Sequence, residues 1–227
     1  MTKLNPPKET FKDNLNSIVK IGIASIPLVG GPAVEFYNLV MKSPIEKKRE
    51  AFFNSVVLKI DQLEETYEEF KPENLKNNDE FLSIILRALQ NSTIETHSEK
   101  IELFKNVIFN SILIKDITSY EKFLFLNYLE NFSFIHISVL KHFVSESNRS
   151  SRSSISHRQN IYANYTKYNE LKIEENMFFS VINDLETKRL IKIKELRNND
   201  DNNIIYGYMI ERAILGDKFI NFIKNHV

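Results

Sequence analysis

The sequence predicts a mainly α-helical protein, with an N-terminal multi-helix bundle followed by a C-terminal winged-helix-like module that holds one β-hairpin. Apolar residues recur at spacings of three and four along most of the chain, as on one face of a helix. All six prolines lie at or before Pro72, so nothing beyond it forbids long helices. Residues 189–210 instead alternate apolar and polar types around a polar turn, which is typical of strands. We therefore expect a helical domain over 1–132 and a winged-helix-like domain over 133–227.

Composition narrows the classes of protein that need to be considered. The chain has 227 residues, of which 42% are hydrophobic and 26% charged, so it can bury a core of its own. Its formal net charge is zero, which argues against a chain-wide attraction to nucleic acid. It has no cysteine, which excludes disulfides and thiolate chemistry. Since residues 1–10 do not resemble a secretory signal, we expect a cytoplasmic protein, with the inner face of the membrane as an alternative location.

The most apolar segment is residues 18–41, IVKIGIASIPLVGGPAVEFYNLVM. It is about as long as the ~20 residues that span a bilayer. Lys20 and Glu35 lie inside it, and two prolines with a Gly-Gly pair favour two short helices joined by a turn. Three interpretations stay open: a buried helical hairpin, a membrane-inserting or pore-lining hairpin, and an oligomer contact. The residues assigned to this membrane or oligomer segment are Ile21, Gly22, Ile26, Pro27, Leu28, Val29, Gly30, Gly31 and Pro32.

A helix is predicted from Ser43 to about Phe70, because a serine, a proline and a glutamate stand at the spacing of a helix start. One buried stripe is expected, formed by Phe52, Phe53, Val56, Val57, Ile60, Leu63 and Tyr67. Lys47, Lys48 and Arg49 stand in the first turn, where they oppose the helix dipole. They form either a solvated face or a basic flank that meets a membrane or an acidic partner.

Four helices are expected in the middle of the chain, over 79–89, 93–112, 119–132 and 134–144, with Asp79 and Thr93 as caps of the first two. The second of them has an apolar stripe formed by Ile94, His97, Ile101, Phe104, Val107, Ile108 and Ile112. His97 stands among charged neighbours, so we expect an exposed or capping histidine and not a metal ligand.

Residues 147–169, SNRSSRSSISHRQNIYANYTKYN, combine basic residues with tyrosines and contain no acid. We expect a polar loop over 147–160. Basic side chains between aromatic ones can also bind a nucleic-acid backbone and stack on bases, and a phosphorylation or partner-docking role is a further alternative. Together with the hairpin, this region supplies the candidate nucleic-acid contacts, which are Arg149, Arg152, His157, Arg158, Lys167, Lys192 and Lys194.

The last sixty residues predict a helix over 174–188, a hairpin whose turn is 198–203, and a closing helix over 215–225 with Phe219, Phe222 and Ile223 facing inward. With the helix that begins at Phe134, this is the order of a winged helix, in which the helix before the hairpin reads DNA. That helix, however, contains four acids and a single lysine. It therefore favours packing or protein interaction over DNA recognition.

The sequence contains no recognisable catalytic or metal-binding motif. The five histidines form no HxxxH pair, and the sequence contains no HExxH, phosphate-loop, GxGxxG or GxSxG pattern. We therefore expect a protein that is not an enzyme, with no catalytic residue, no metal site and no cofactor.

Three segments carry a resemblance: IASIPLVGGPAVEF, SPIEKKREAFFNSVVLKIDQLEE and DEFLSIILRALQNSTIETHSEKIELFKNVIFNSI. In this order they resemble a family of uncharacterised bacterial helical proteins, and more distantly the abortive-infection alpha (Abi-alpha) phage-resistance proteins. The C-terminal VINDLETKRLIKI and LGDKFINFI are similar to the closing winged-helix-like module of that group. The resemblance implies an architecture and a role in phage defence, and it assigns no catalytic residue.

The function expected is that of a non-enzymatic bacterial interaction protein, a phage-defence component that acts by protein or membrane contact. The alternatives are a winged-helix nucleic-acid-binding regulator and a structural oligomerisation module. A protein partner or a homo-oligomer is expected first, a membrane surface next, and nucleic acid is not favoured.

Overall fold

The computed structural model describes the backbone of residues 43–143, 158–200 and 203–227. In these residues the protein is mainly helical, with one two-stranded antiparallel sheet near the C-terminus, which confirms the predicted mainly α-helical class with one β-hairpin. The membrane or oligomer segment (Ile21 to Pro32) lies outside the described residues, and so do three candidate nucleic-acid contacts, Arg149, Arg152 and His157.

The chain divides into two compact units, one ending at Leu126 and including His226–Val227, the other spanning Asn127–Asn225. The described helices of the first unit are α1 (Ser43–Glu64), α2 (Pro72–Leu75), α3 (Asp79–Ile94), α4 (Ser98–Leu113) and the start of α5 (Ser119–Asn131). The second unit holds the end of α5, α6 (Phe134–His142), α7 (Arg158–Tyr168), α8 (Glu175–Thr187), β1 (Ile191–Asp200), β2 (Asn203–Arg212) and α9 (Ile214–Ile223).

The buried stripe predicted for α1 is confirmed at every position but the last. Residues from Phe52 to Leu63 in that stripe are buried, and they pack against α3. Tyr67 is exposed, because α1 ends at Glu64 and not near Phe70. The chain turns there and continues as a short 3-10 helix, Glu68–Phe70, which buries Phe70 in place of Tyr67.

The predicted boundary between α3 and α4 is wrong by several residues. Thr93 is not a cap but lies buried in α3, where its hydroxyl donates to the Leu89 carbonyl at 2.6 Å. The N-cap position of α4 is occupied by His97, whose side chain forms no cap hydrogen bond and is exposed, which agrees with the expectation of an exposed or capping histidine. Ile94 is consequently 71% exposed and does not belong to the buried stripe of α4.

Glu95 causes this shift in the boundary. Its carboxylate accepts the backbone N–H groups of Thr96 and His97, and it lies 2.9 Å from the Lys100 ammonium. Burial alone would raise the pKa of Glu95, but the hydrogen bonds from His97, Lys100 and Thr96 outweigh it and hold that pKa below its ordinary value. The charged side chain therefore forms the turn between α3 and α4.

The start of α5 is fixed by two sets of polar contacts. Thr118 and Glu121 form a capping box, in which the Thr118 N–H donates to the Glu121 carboxylate at 2.9 Å and the Glu121 N–H donates to the Thr118 hydroxyl at 3.3 Å. From α3, the Glu80 carboxylate accepts hydrogen bonds from Ser119 and, at 2.7 Å, from the Lys122 ammonium. These contacts hold the first turns of α3 and α5 together.

Two predicted boundaries in the second unit need correction. The polar loop was expected to run to residue 160, but α7 already begins at Arg158, with Ile161 and Tyr165 on its buried face. The hairpin turn is also shorter than the predicted 198–203. The strands pair from Ile191↔Arg212 to Asp200↔Asn203, so only residues 201–202 lie between them.

The end of α8 has the geometry of a Schellman motif. The Leu190 N–H donates to the Leu185 carbonyl at 2.9 Å, and the Arg189 N–H donates to the Glu186 carbonyl at 2.8 Å. Arg189 occupies the left-handed position with a φ of 58°, where glycine is more usual. This motif ends the helix and turns the chain into β1.

The Leu190 carbonyl also contacts the start of the closing helix, α9. It accepts the Ala213 N–H at 3.0 Å, and a Cβ added at Gly216 would lie only 2.1 Å from the same oxygen. Gly216 lies in the first turn of α9, inside the predicted closing helix. A glycine is required because any side chain would collide with backbone.

We expect Gly216→Ala to destabilise the protein by about 3 kcal/mol, the upper range for overpacking a core. The direction of this change in stability is informative, because replacing glycine by alanine in a helix ordinarily stabilises a protein by about 0.5–1 kcal/mol. Urea unfolding followed by circular dichroism measures the change. Ser180→Ala, at an exposed position of α8, is the control and should stay within about 0.5 kcal/mol of wild type. A Gly216→Ala variant as stable as wild type would contradict the close contact.

Candidate functional site

The three tyrosines of α7 do not form a base-stacking surface. Tyr165 is completely buried, and its hydroxyl lies 3.0 Å from that of Ser138. The Tyr162 hydroxyl donates to the Ile173 carbonyl at 2.6 Å. Tyr168 is exposed, and the ammonium of its neighbour Lys167 lies 5.2 Å from the centre of its ring. Two of the three rings therefore belong to the interior of the second unit.

Polar contacts one helical turn apart join α6 to α7. Besides the Ser138–Tyr165 contact, the His142 Nδ1 lies 3.1 Å from the Asn169 Nδ2. Asn169 also donates to the Tyr165 carbonyl at 2.8 Å. Burial lowers the pKa of His142. The ring is therefore neutral near pH 7, so that Nδ1 can accept the hydrogen bond from the amide of Asn169.

Helix α8 has an apolar face packed inside the unit and a polar face turned to solvent. The buried residues are Phe178, Phe179, Val181, Ile182 and Leu185. Met177 lies beside this face but is 49% exposed. The polar face exposes the acidic residues Glu175, Asp184 and Glu186 together with Ser180 and Asn183. The helix that would enter a DNA groove thus carries mainly negative charge.

The predicted basic contacts of the second unit lie on α7 and on the hairpin. On the hairpin, the Lys194 ammonium lies 2.6 Å from a carboxylate oxygen of Glu211, a residue only 4% exposed. Lys192 is exposed and stands opposite Glu211 in the register. The charge of Glu211 therefore offsets part of the positive charge of the predicted wing. On α7, Arg158 is the first residue and Lys167 is exposed near the end.

The basic flank at the start of α1 is only partly available to a partner. Lys47 is exposed and Arg49 is half-buried. The Lys48 ammonium reaches the Glu95 carbonyl at 3.4 Å. The acidic Glu46 is exposed beside them. This mixed surface agrees with a solvated face better than with a concentrated basic patch.

One chain of contacts was not foreseen from the sequence. The Ser133 hydroxyl lies 2.7 Å from the His136 Nδ1, and the His136 Nε2 lies 3.3 Å from the Asp184 carboxylate. The imidazole stacks on Phe132, with the ring centres 4.9 Å apart. The residue types are those of a proton relay, but Ser133 is also the N-cap of α6 and His136 follows at helical spacing. We interpret the contacts as a link between α6 and α8. The spacing of Ser133 and His136 could be read from the sequence. Asp184, which lies 48 residues from His136, could not be identified as its partner.

The first unit has an apolar pocket between α1, α3 and α4. Its lining is formed by Phe52, Phe53, Val56, Val57, Ile60, Ile85, Leu89 and Ile108. These side chains offer no group for acid–base or nucleophilic chemistry. Across the part of the chain that the structure describes, no three histidine, aspartate or glutamate residues cluster as metal ligands would.

Searches of protein-family models and of curated proteins found no match to the chain. The resemblance to the abortive-infection alpha proteins therefore stays a prediction. Among the described residues no single helix has the length and apolarity to cross a bilayer, although the bent pair of α5 and α6 meets that test by length and composition.

The lowered pKa of His142 predicts that stability falls as the solution is acidified. Below its ordinary pKa of about 6.5 the unfolded state binds a proton that the folded state binds less readily, so the free energy of unfolding decreases as the pH falls below neutral. In His142→Phe this contribution should be absent. Urea unfolding at about pH 7.5 and pH 5.5 compares the two proteins. An equal loss of stability on acidification in both would show that His142 does not contribute.

Proposed function

We propose that the protein is a non-enzymatic interaction protein, and that its second unit is a winged-helix-like module which binds a protein partner through the exposed face of α8. The order of elements supports the winged-helix assignment, since three helices (α6, α7, α8) precede the hairpin and α9 follows it. The acidic exposed face of α8 is the observation that carries the proposal.

Nucleic acid is a poor partner for this face. A helix that binds DNA meets a dense array of phosphates, and basic side chains supply most of the affinity. On α8 the acidic Glu175, Asp184 and Glu186 would repel those phosphates. The ammonium of Lys188, the basic residue that follows them, lies 5.8 Å from the ring centre of Tyr128.

A partner protein with a basic surface fits the same face. Opposite charges steer association and select the partner, while an apolar side chain near the charges adds buried area. Met177, in the first turn of α8 and half exposed, is such an apolar anchor. Ser180 and Asn183 add exposed polar groups that can form hydrogen bonds with the partner.

Phage defence is the biological setting that we propose for this interaction, and its support is the resemblance in sequence alone. A membrane-contact version would depend on residues 18–41 and on the basic flank, of which Lys48 is in contact with Glu95. The α8 face is therefore the surface with the more direct support.

Photocrosslinking tests the partner directly. A photoreactive amino acid at Asn183, on the exposed face of α8, should give one discrete protein adduct in bacteria that express the full-length chain. The same amino acid at Ser83, exposed on α3, is the control and should not give that adduct. The double variant Glu175→Lys, Glu186→Lys should lose it while keeping its helical circular dichroism, because both side chains are exposed.

Fluorescence anisotropy with labelled duplex DNA and RNA tests the alternative. At about 50 mM salt, where phosphate contacts are strong, we expect no binding to either. Salt-sensitive binding that weakens in the double variant Lys192→Ala, Lys194→Ala would favour the nucleic-acid-binding regulator and contradict the proposal.

A further inference from the structure

Among the residues that the structure describes, each strand of the hairpin has one outer edge with no partner strand. The hairpin is formed by two strands of ten residues each, and in the part of the chain that the structure describes no third strand pairs with either. An unpaired edge offers a row of backbone N–H and C=O groups to another strand. A two-stranded ribbon is also only marginally stable by itself in water.

The two edges differ in how the sequence protects them. Strand β1 carries charges along its length, at Lys192, Lys194, Glu195 and Arg197. Charged residues, and lysine above all, discourage a second strand from pairing with an edge. Strand β2 is uncharged from Ile204 to Ile210, and this stretch consists largely of isoleucine and tyrosine, which favour strands. The outer edge of β2 is therefore open to pairing, whereas that of β1 is guarded.

We propose that β2 of one copy of the protein pairs antiparallel with β2 of a second copy, so that two hairpins form one four-stranded sheet. A two-fold axis makes the uncharged stretch its own partner, and no like charges come to lie opposite each other. Pairing with the β1 edge of another copy would place its lysines and arginine against uncharged residues. The charge pattern thus selects β2, and not β1, as the edge through which two copies join, and the two-fold symmetry of that pairing makes a second copy the occupant that we propose.

This dimer goes beyond the proposed function and does not depend on it, because the β2 edge and the α8 face belong to different elements. Its consequence is that one particle presents two copies of α8. A partner with two matching sites would then bind with an effective concentration set by the dimer, and more tightly than to a single copy.

Cysteine crosslinking of the full chain tests the pairing, since the natural sequence has no cysteine. Single substitutions at Ile205, Tyr206, Gly207 and Tyr208 place a thiol along β2. Where a residue faces its own copy across the two-fold axis, the Cβ atoms should lie about 4.5–5.5 Å apart and mild oxidation should link two chains. The controls are Asn198→Cys and Arg197→Cys on β1, which pair with Ile205 and Tyr206 within the hairpin and should not crosslink.

Sedimentation equilibrium gives an independent readout. Wild type should associate to a dimer at micromolar concentrations, and Ile205→Lys should raise the dimer Kd at least tenfold. Asn198→Lys, at the paired position on the other edge, should leave the Kd unchanged. A wild-type protein that stays monomeric at about 100 μM would overturn the proposal, because specific dimers of this kind bind more tightly. A dimer that survives Ile205→Lys, without crosslinks along β2, would overturn it too, because it would form through another surface.

Discussion

The second unit depends on the peptide groups around Leu190. The N–H of Leu190 ends α8 through the Leu185 carbonyl, and its carbonyl accepts the N–H of Ala213, the N-cap of α9. Gly216 lies against the same carbonyl with no room for a side chain. The Leu190 side chain is fully buried, so these bonds are shielded from water and breaking them would leave buried polar groups unpaired. One residue thus fixes where α8 ends, where β1 begins and how closely α9 packs.

Both surfaces that we assign to binding follow from this junction. Because the end of α8 is fixed, its apolar face stays in the core, through residues such as Phe178, and its acidic face stays in solvent. The hairpin is anchored at the same junction, where Ile191 pairs with Arg212, and its strands extend from there to Asn203. The unit therefore presents a charged helix face, for which we propose a partner of opposite charge, and an uncharged strand edge, for which we propose a second copy.

The sequence predicted the features that depend on residues close together in the chain, and it missed those that depend on residues far apart. The buried stripe of α1 was predictable because periodicity along one helix decides burial, whereas the end of α3 was not, because Glu95 forms the turn with a lysine in the next helix. The need for glycine at position 216 could not be predicted either, since a backbone approach from Leu190 leaves no trace in composition. Contacts between distant residues also decided the roles of the candidate functional residues in the second unit. Tyr165 looked like a stacking residue because only the fold supplies its hydroxyl with a partner, and the contact of His136 with α8 spans 48 residues.

Native-state hydrogen exchange of the full-length protein tests the role of Leu190 most directly. If the junction holds the second unit together, the amide protons of Leu190 and Ala213 should exchange only through unfolding of the whole unit. Their free energies of exchange should then equal that of Leu185, which lies in the core of α8. Exchange of Ala213 through a much smaller free energy, with the core of α8 still protected, would show that α9 opens independently and would contradict the account.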